Sequence, residues 1–134
     1  MSSSRFLTLI LSLSLILFAM PSAQGQSAYG AIAGSVTDPS GAAIPDAQVT
    51  LTNLGTMEKR TQSTGNDGLY TFVNLIPGNY RIDVEKQGFK HVAREPVVVQ
   101  VQQTTKIDTA LQVGQASETI EVTAETPLLQ SETS

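Results

Sequence analysis

From Tyr29 onward, apolar positions recur at every second residue in short runs separated by Gly, Pro, Asn and Asp, the pattern of half-buried β-strands. Ile32, Gly34 and Val36 share one face of a first strand, and Ala47, Val49 and Leu51 alternate with Gln48, Thr50 and Thr52 in a second. Between them, Asp38-Pro39-Ser40-Gly41 and Ile44-Pro45-Asp46 read as a loop, because each proline removes a ladder donor. Asn53 to Thr56 forms a turn, and Lys59 to Thr64 is a polar strand suited to a sheet edge. The densest stretch runs from Gly65 to Phe89. Asn66-Asp67-Gly68 turns the chain, Tyr70 and Phe72 face one way, Pro77-Gly78 turns it again, and Tyr80, Ile82 and Val84 alternate with Arg81, Asp83 and Glu85. Gly88-Phe89 gives a bend followed by an aromatic that returns to the core. Lys90 to Pro96 reads as a polar connection, Val97 to Val101 as a strand, and Ile107, Thr109 and Leu111 as the face of one more before Gly114. No helical period competes between Gln26 and Gly114, so the expected fold is all-β, about seven strands in a sandwich of two antiparallel sheets.

The N-terminus departs from this pattern. Arg5 precedes an uncharged run from Phe6 to Ala19, followed by Pro21 and small residues ending in Ala23-Gln24-Gly25. Positive end, apolar segment, break and small-x-small site are the order of a secretory signal peptide over residues 1–25. The run is shorter than the roughly 20 residues of a spanning helix. The expectation is an exported chain starting near Gln26, with the sandwich over residues 26–113 and an extended tail over 114–134.

A length of 134 residues holds one domain plus that leader. There is no cysteine, which excludes disulfides, thiolate metal sites and a cysteine nucleophile. The net charge is −4; without Arg5, the 8 basic residues become 7 against 12 acidic ones, leaving −5. That balance disfavours nucleic acid and anionic lipid as partners, and Lys59-Arg60 is the only adjacent basic pair.

Catalytic chemistry finds no constellation. His91 is the only histidine, placed by the pattern in a polar solvent-facing loop, so neither a multi-histidine metal site nor an assembled triad is expected. Asn66 and Asp67, with Asp38 or Asp46, offer oxygen ligands but lack the acidic spacing and distal Glu of a calcium loop, and they read as turn residues. No nucleophile elbow, phosphate loop or dinucleotide fingerprint occurs, and no cofactor is expected. Tyr29, Tyr70 and Tyr80 invite sugar stacking, but Tyr70 and Tyr80 fall on the apolar side of their strands, which leaves Tyr29 as the freer candidate.

Gly30-Ala-Ile-Ala-Gly34-x-Val36-x-Asp38-x-x-Gly41, Ala47-x-Val49, Gly65-x-x-Gly68-x-Tyr70-x-Phe72-x-x-Leu75-x-Pro77-Gly78-x-Tyr80 and Gly88-Phe89 together resemble the carboxypeptidase regulatory-like domain, over about Tyr29 to Gln112. The resemblance implies a prealbumin-like, seven-stranded sandwich akin to carbohydrate-binding modules, and no peptidase activity. A second resemblance follows the sandwich. Glu118-Thr119-Ile120-Glu121-Val122-Thr123-Ala124 looks like the TonB box of outer-membrane receptors, a segment that pairs with an edge of the periplasmic TonB domain by strand addition. The same residues also read as an eighth strand with Ile120 and Val122 inward. Leader, regulatory-like domain, box-like segment and Pro127-Leu128-Leu129 are together similar to the start of Oar-like TonB-dependent receptors. Such a receptor continues into a plug and a large β-barrel. Two readings follow: a non-catalytic N-terminal fragment of a receptor in the periplasm and outer membrane, or a free-standing carbohydrate-binding or adhesion module.

Overall fold

The computed structural model of the chain describes Gly25 and residues 28–123. The rest of the expected leader, together with Ala124 and Pro127-Leu128-Leu129, lies outside the described residues. Nine strands follow one another: β1 (Gly30–Thr37), β2 (Gln48–Asn53), β3 (Lys59–Ser63), β4 (Leu69–Leu75), β5 (Gly78–Glu85), β6 (His91–Val99), β7 (Thr104–Lys106), β8 (Thr109–Ala110) and β9 (Thr119–Thr123). One sheet has the order β4-β1-β7, with β8 also beside β1; the other has the order β3-β2-β5-β6-β9. The inner faces bury Ile32, Val36, Val49, Leu51, Tyr70, Phe72, Leu75, Tyr80, Ile82 and Val84 in one core. These are the alternating positions of the sequence, so the period of two fixed the inward face of β1, β2, β4 and β5.

Strand number and direction differ from the expectation of seven antiparallel strands. Three pairings are parallel: β1 with β7, β1 with β8, and β6 with β9. The expected strand through Ile107 to Leu111 is split. At Gly34 the backbone of Ile107 passes so close that a Cβ there would strike the Ile107 carbonyl oxygen, and the Tyr70 hydroxyl donates to that same oxygen at 2.7 Å. Ser35 then meets a side chain where a strand neighbour would be: its N–H and hydroxyl both donate to Asp108 Oδ1, at 3.0 and 2.9 Å. The spacing Gly34-x-Val36 and Gly68-x-Tyr70 thus belongs to one close crossing of chain segments.

The polar stretch from Lys90 is also not a connection, since β6 already begins at His91, with Val92 and Ala93 buried opposite Val84 and Asp83. Its register against β5 shifts between Tyr80 and Ile82, opposite Arg94 to Val97. Pro96 sits in that irregularity, where a residue without an N–H leaves no gap in a regular ladder. A proline at a bulge breaks the alternation, and for that reason the first half of the strand was not visible as one.

The two ends of the sandwich differ in character. At one end lie the β2–β3, β4–β5 and β6–β7 turns and the start of β1, joined by Leu54 N–H donating to Asn79 O and Gln102 N–H to Tyr29 O. At the other lie the β1–β2, β3–β4, β5–β6 and β8–β9 connections, carrying Asp38, Asp46, Asp67, Lys86 and Lys90. Their turns are tied internally, with Asp38 Oδ1 accepting from Ser40 N–H, Ser40 hydroxyl and Ala42 N–H, and Asp67 Oδ1 from Leu69 N–H.

Candidate functional site

Thr119–Thr123 form one edge of the five-stranded sheet, with Glu118 just before it, while Ala124 lies outside the described residues. β9 lies parallel to β6, with Thr119 opposite His91, Glu121 opposite Ala93 and Thr123 opposite Glu95. The eighth-strand alternative therefore has its physical basis: Ile120 and Val122 are half-buried and pack against the core. In a parallel ladder alternate residues direct both backbone groups to the same neighbour. The His91 N–H donates to Glu118 O at 2.9 Å, so Ile120 and Val122 spend their N–H and C=O on β6. Thr119, Glu121 and Thr123 consequently turn theirs outward, away from the sheet. The last described pair of this ladder is Thr123 with Glu95.

Side chains clasp the strand from the outer face of the sheet. His91 Nδ1 lies 3.2 Å from Thr119 Oγ1 and its Nε2 3.0 Å from Asp83 Oδ1, so one imidazole ties β9 to β5 across β6. Only 16% of the His91 side chain is exposed, which corrects the expectation of a solvent-facing loop histidine: β6 starts there, and both ring nitrogens have partners on neighbouring strands. Asp83 is held from its other side by Arg81 Nε at 3.1 Å, and Arg81 Nη1 reaches Glu95 Oε2 at 3.3 Å. Burial pulls the Arg81 guanidinium down, but its bonds to Asp83 and Glu95 outweigh this and raise it above its ordinary value. Lys90 Nζ closes the start of the clasp on Glu118 Oε2 at 2.7 Å. Hydroxyl, imidazole and carboxylate stand in line here on the outer face of the sheet, and Arg81 shares the carboxylate. The arrangement serves to fasten a strand.

The other sheet edges are guarded. On the free side of β4, Thr71 N–H donates to Gln62 Oε1 at 3.3 Å, and Arg60 Nη1 donates to Val73 O at 3.1 Å. Both caps come from β3, which is itself polar and exposed at all its positions. β7 is only three residues long. Among the described residues no side chain caps the outward backbone groups of β9, and none caps those of β3. Sequence reading missed the guards, since a side chain of one sheet bonding the edge of the other has no local signal; only the polarity of Lys59 to Thr64 hinted at it.

The remaining candidates fall into structural roles. Tyr70 and Tyr80 are buried, and their hydroxyls donate to Ile107 O and Ile76 O, each at 2.7 Å. Burial, with the nearby charge of Asp108, pushes the Tyr70 phenol well above its ordinary value. Tyr29 is 49% exposed. Asp38 is held below the usual carboxylate range by the Ser40 hydroxyl and turn N–H groups, and Asp108 by the Ser35 hydroxyl and Lys106. Among the described residues no three His, Cys, Asp or Glu side chains are grouped to hold a metal ion. No helix of the described residues is long and apolar enough to cross a membrane.

Solved structures share the architecture. The Bacillus anthracis TIE protein aligns with a TM-score of 0.56 at 14% identity, over 64% of this chain and 17% of that one. The minor pilin GBS52 of Streptococcus agalactiae aligns at 0.54 and 12% identity, over 66% and 46%, and a putative carbohydrate binding protein from Bacteroides uniformis at 0.51 and 20%, over 60% and 40%. This chain spans less than half the length of each, and at such identities the likeness is one of fold. Among curated proteins none matches the chain. Residues 31–112 match the carboxypeptidase regulatory-like domain, a span that begins in β1, includes the Gly34–Tyr70–Ile107 crossing and ends before β9. With that crossing, both buried tyrosines and the two-sheet core accounted for by one family's motifs, the chain belongs to the carboxypeptidase regulatory-like domain family.

Proposed function

We propose that this chain is an exported, non-catalytic module that forms the N-terminal extension of a TonB-dependent outer-membrane transporter, with Glu118 to Ala124 offered to the periplasmic TonB domain. The observation that supports this reading is the outer side of β9, whose backbone groups no side chain among the described residues caps, whereas Arg60 and Gln62 cap β4. Strand addition requires a row of unspent N–H and C=O groups on an extended segment, and Thr119, Glu121 and Thr123 supply it while Ile120 and Val122 keep the segment attached. Plug and barrel of a longer receptor are the further partners of this reading. A free-standing adhesion or carbohydrate-binding module, as the names of two fold relatives suggest, has less support, because the aromatic faces of Tyr70, Phe72 and Tyr80 point into the core.

The test is binding of the chain from Gln26 to a purified TonB periplasmic domain, with Glu121→Pro beside the parent. Proline at 121 removes an outward N–H and leaves every β6–β9 hydrogen bond in place. Binding lost in a variant whose circular dichroism is unchanged supports strand addition at this edge. A folded parent that does not bind TonB ends the receptor reading and leaves the adhesion module.

A further inference from the structure

The side of the sandwich between β3 and β4 is closed by Arg60 and Gln62, but the opposite side is covered over only half its length. There β9 lies along β6 from His91 to Glu95, and β6 runs on to Val99 with no described residue of β9 beside it. Thr105 Oγ1 donates to Val98 O at 2.9 Å across the gap between the sheets. Between β6, β9 and the β7–β8 segment remains an open groove of about 400 Å³, walled by Val97, Val98, Ile107 and Val122, with Thr123 lining it at the end of β9. Val98 is 51% exposed, so the wall is apolar surface in contact with water. One charge faces into this groove. Arg94 stands opposite Ile82 on β5 and Val122 on β9, both turned toward the core, and paired residues of neighbouring strands share a face. Its guanidinium therefore lies on the inner side of the sheet, away from Arg81 and Asp83, and its charge reaches the buried phenol of Tyr70. Arg94 is half-buried and has no ion pair among the described residues, in contrast to Arg60, Arg81, Lys90 and Lys106. A cation withdrawn from water and without a partner draws a carboxylate.

The chain itself supplies one. Because β9 is parallel to β6, it arrives at Thr123 pointing along the wall formed by Val97 and Val98. The segment that follows, 124–134, contains Glu125 and Glu132, neither Lys nor Arg, and the apolar pair Leu128-Leu129. Glu125 comes two positions after Thr123, within reach of Arg94, and Leu128 comes five after it, a span of up to about 17 Å. Acid and aliphatic residues thus follow in the order in which the groove presents its cation and its apolar wall. A tethered segment needs no large interface, because the tether holds it at a local concentration on the order of millimolar. We infer that residues 124–134 dock back on the sandwich, with Glu125 paired to Arg94 and Leu128-Leu129 in the groove between β6, β9 and the β7–β8 segment. The groove is on the inner side of β9, so its occupation leaves the outer backbone groups of that strand free and does not depend on TonB.

The chain has no cysteine, so engineered pairs report proximity without competing thiols. The test uses the chain from Gln26 to Ser134, which contains every strand of both sheets. Under mild oxidation, Val98→Cys with Leu128→Cys is expected to form an intramolecular disulfide about tenfold faster than Val73→Cys with Leu128→Cys. Val73 is as exposed as Val98, at 54%, but lies on β4 of the other sheet. Arg94→Gln or Glu125→Gln slows the first pair toward the second and removes its salt dependence, and Arg94→Glu together with Glu125→Arg restores both. Methyl NMR gives a reading without any change at Arg94: in Leu128→Asp/Leu129→Asp the Val98 and Ile107 signals shift, while those of Leu69 stay. Circular dichroism verifies that each variant is folded. Equal crosslinking of the two pairs in folded chains overturns the inference, as do Val98 and Ile107 signals that ignore the leucine changes. A disulfide found only between two chains overturns it too, by making the groove a seat for a second copy.

Discussion

Single residues carry much of this fold through backbone contacts that only they permit. Gly34 leaves room for the Ile107 backbone and Tyr70 fastens it, so Gly34→Ala is expected to cost at least about 2 kcal/mol by forcing the crossing apart. Tyr70→Phe keeps the packing but leaves the Ile107 carbonyl without its donor, a loss of about 1–2 kcal/mol in urea unfolding. Tyr80→Ala empties a large core volume and is expected to cost about 3–5 kcal/mol in thermal melts. Asp38 and Asp108 act through charge: their folded-state affinities for protons are depressed, so their contribution is present above the ordinary carboxylate range and is lost as pH falls below about 4. Replacing Ser40 with Ala returns Asp38 toward its ordinary value, which carboxylate titration by NMR would read directly. The tyrosines and glycines were legible in the sequence as core and turn residues. Which carbonyl each one served was not, since Tyr70 and Ile107 are 37 positions apart.

At the level of elements, β9 is the strand whose role separates fold from function. Its inward and outward backbone groups alternate, which makes neighbouring proline substitutions unequal. Val122→Pro removes an N–H spent on β6 and is expected to cost about 1–3 kcal/mol, whereas Glu121→Pro stays within about 0.5 kcal/mol of the parent in the same denaturation. Equal losses from both would mean that β9 is not registered on β6 as described. A chain ending at Gly114 keeps both sheets from β1 to β8 but opens the β6 edge from His91 to Glu95. It is expected to melt lower and to self-associate in sedimentation, because an uncovered edge seeks another strand. The alternation of Ile120 and Val122 marked this segment as extended from the sequence alone. That it pairs in parallel with β6, and that His91 rather than a turn fastens it, required the fold.

For the whole molecule, one buried phenol links pH to global stability. The Tyr70 proton is held more tightly in the folded state than in the unfolded chain, so its stabilisation is complete below the ordinary phenol value of 10.0 and is lost as pH rises above it. Phenolate absorbance from Tyr70 should therefore appear together with loss of the β-sheet signal on alkaline titration. Tyr70 phenolate that forms before the β-sheet signal is lost would place Tyr70 outside the core. The asymmetry between the ends belongs to the same scale: acidic loops gather at one end and apolar turn tips at the other, although the chain carries both kinds interleaved.

The sequence by itself determined the all-β class, the inward face of each regular strand and most of the turns, because period-two burial and turn chemistry are local and repeat along the chain. It also carried the family motifs and the strand-forming character of Thr119 to Thr123. Only the tertiary structure decided which edges are capped, which strands run in parallel, what His91 holds and which loops share an end. Those are contacts between residues tens of positions apart. They follow from how two twisted sheets stack around one core, and no local pattern encodes which partner a strand edge or a loop tip will meet.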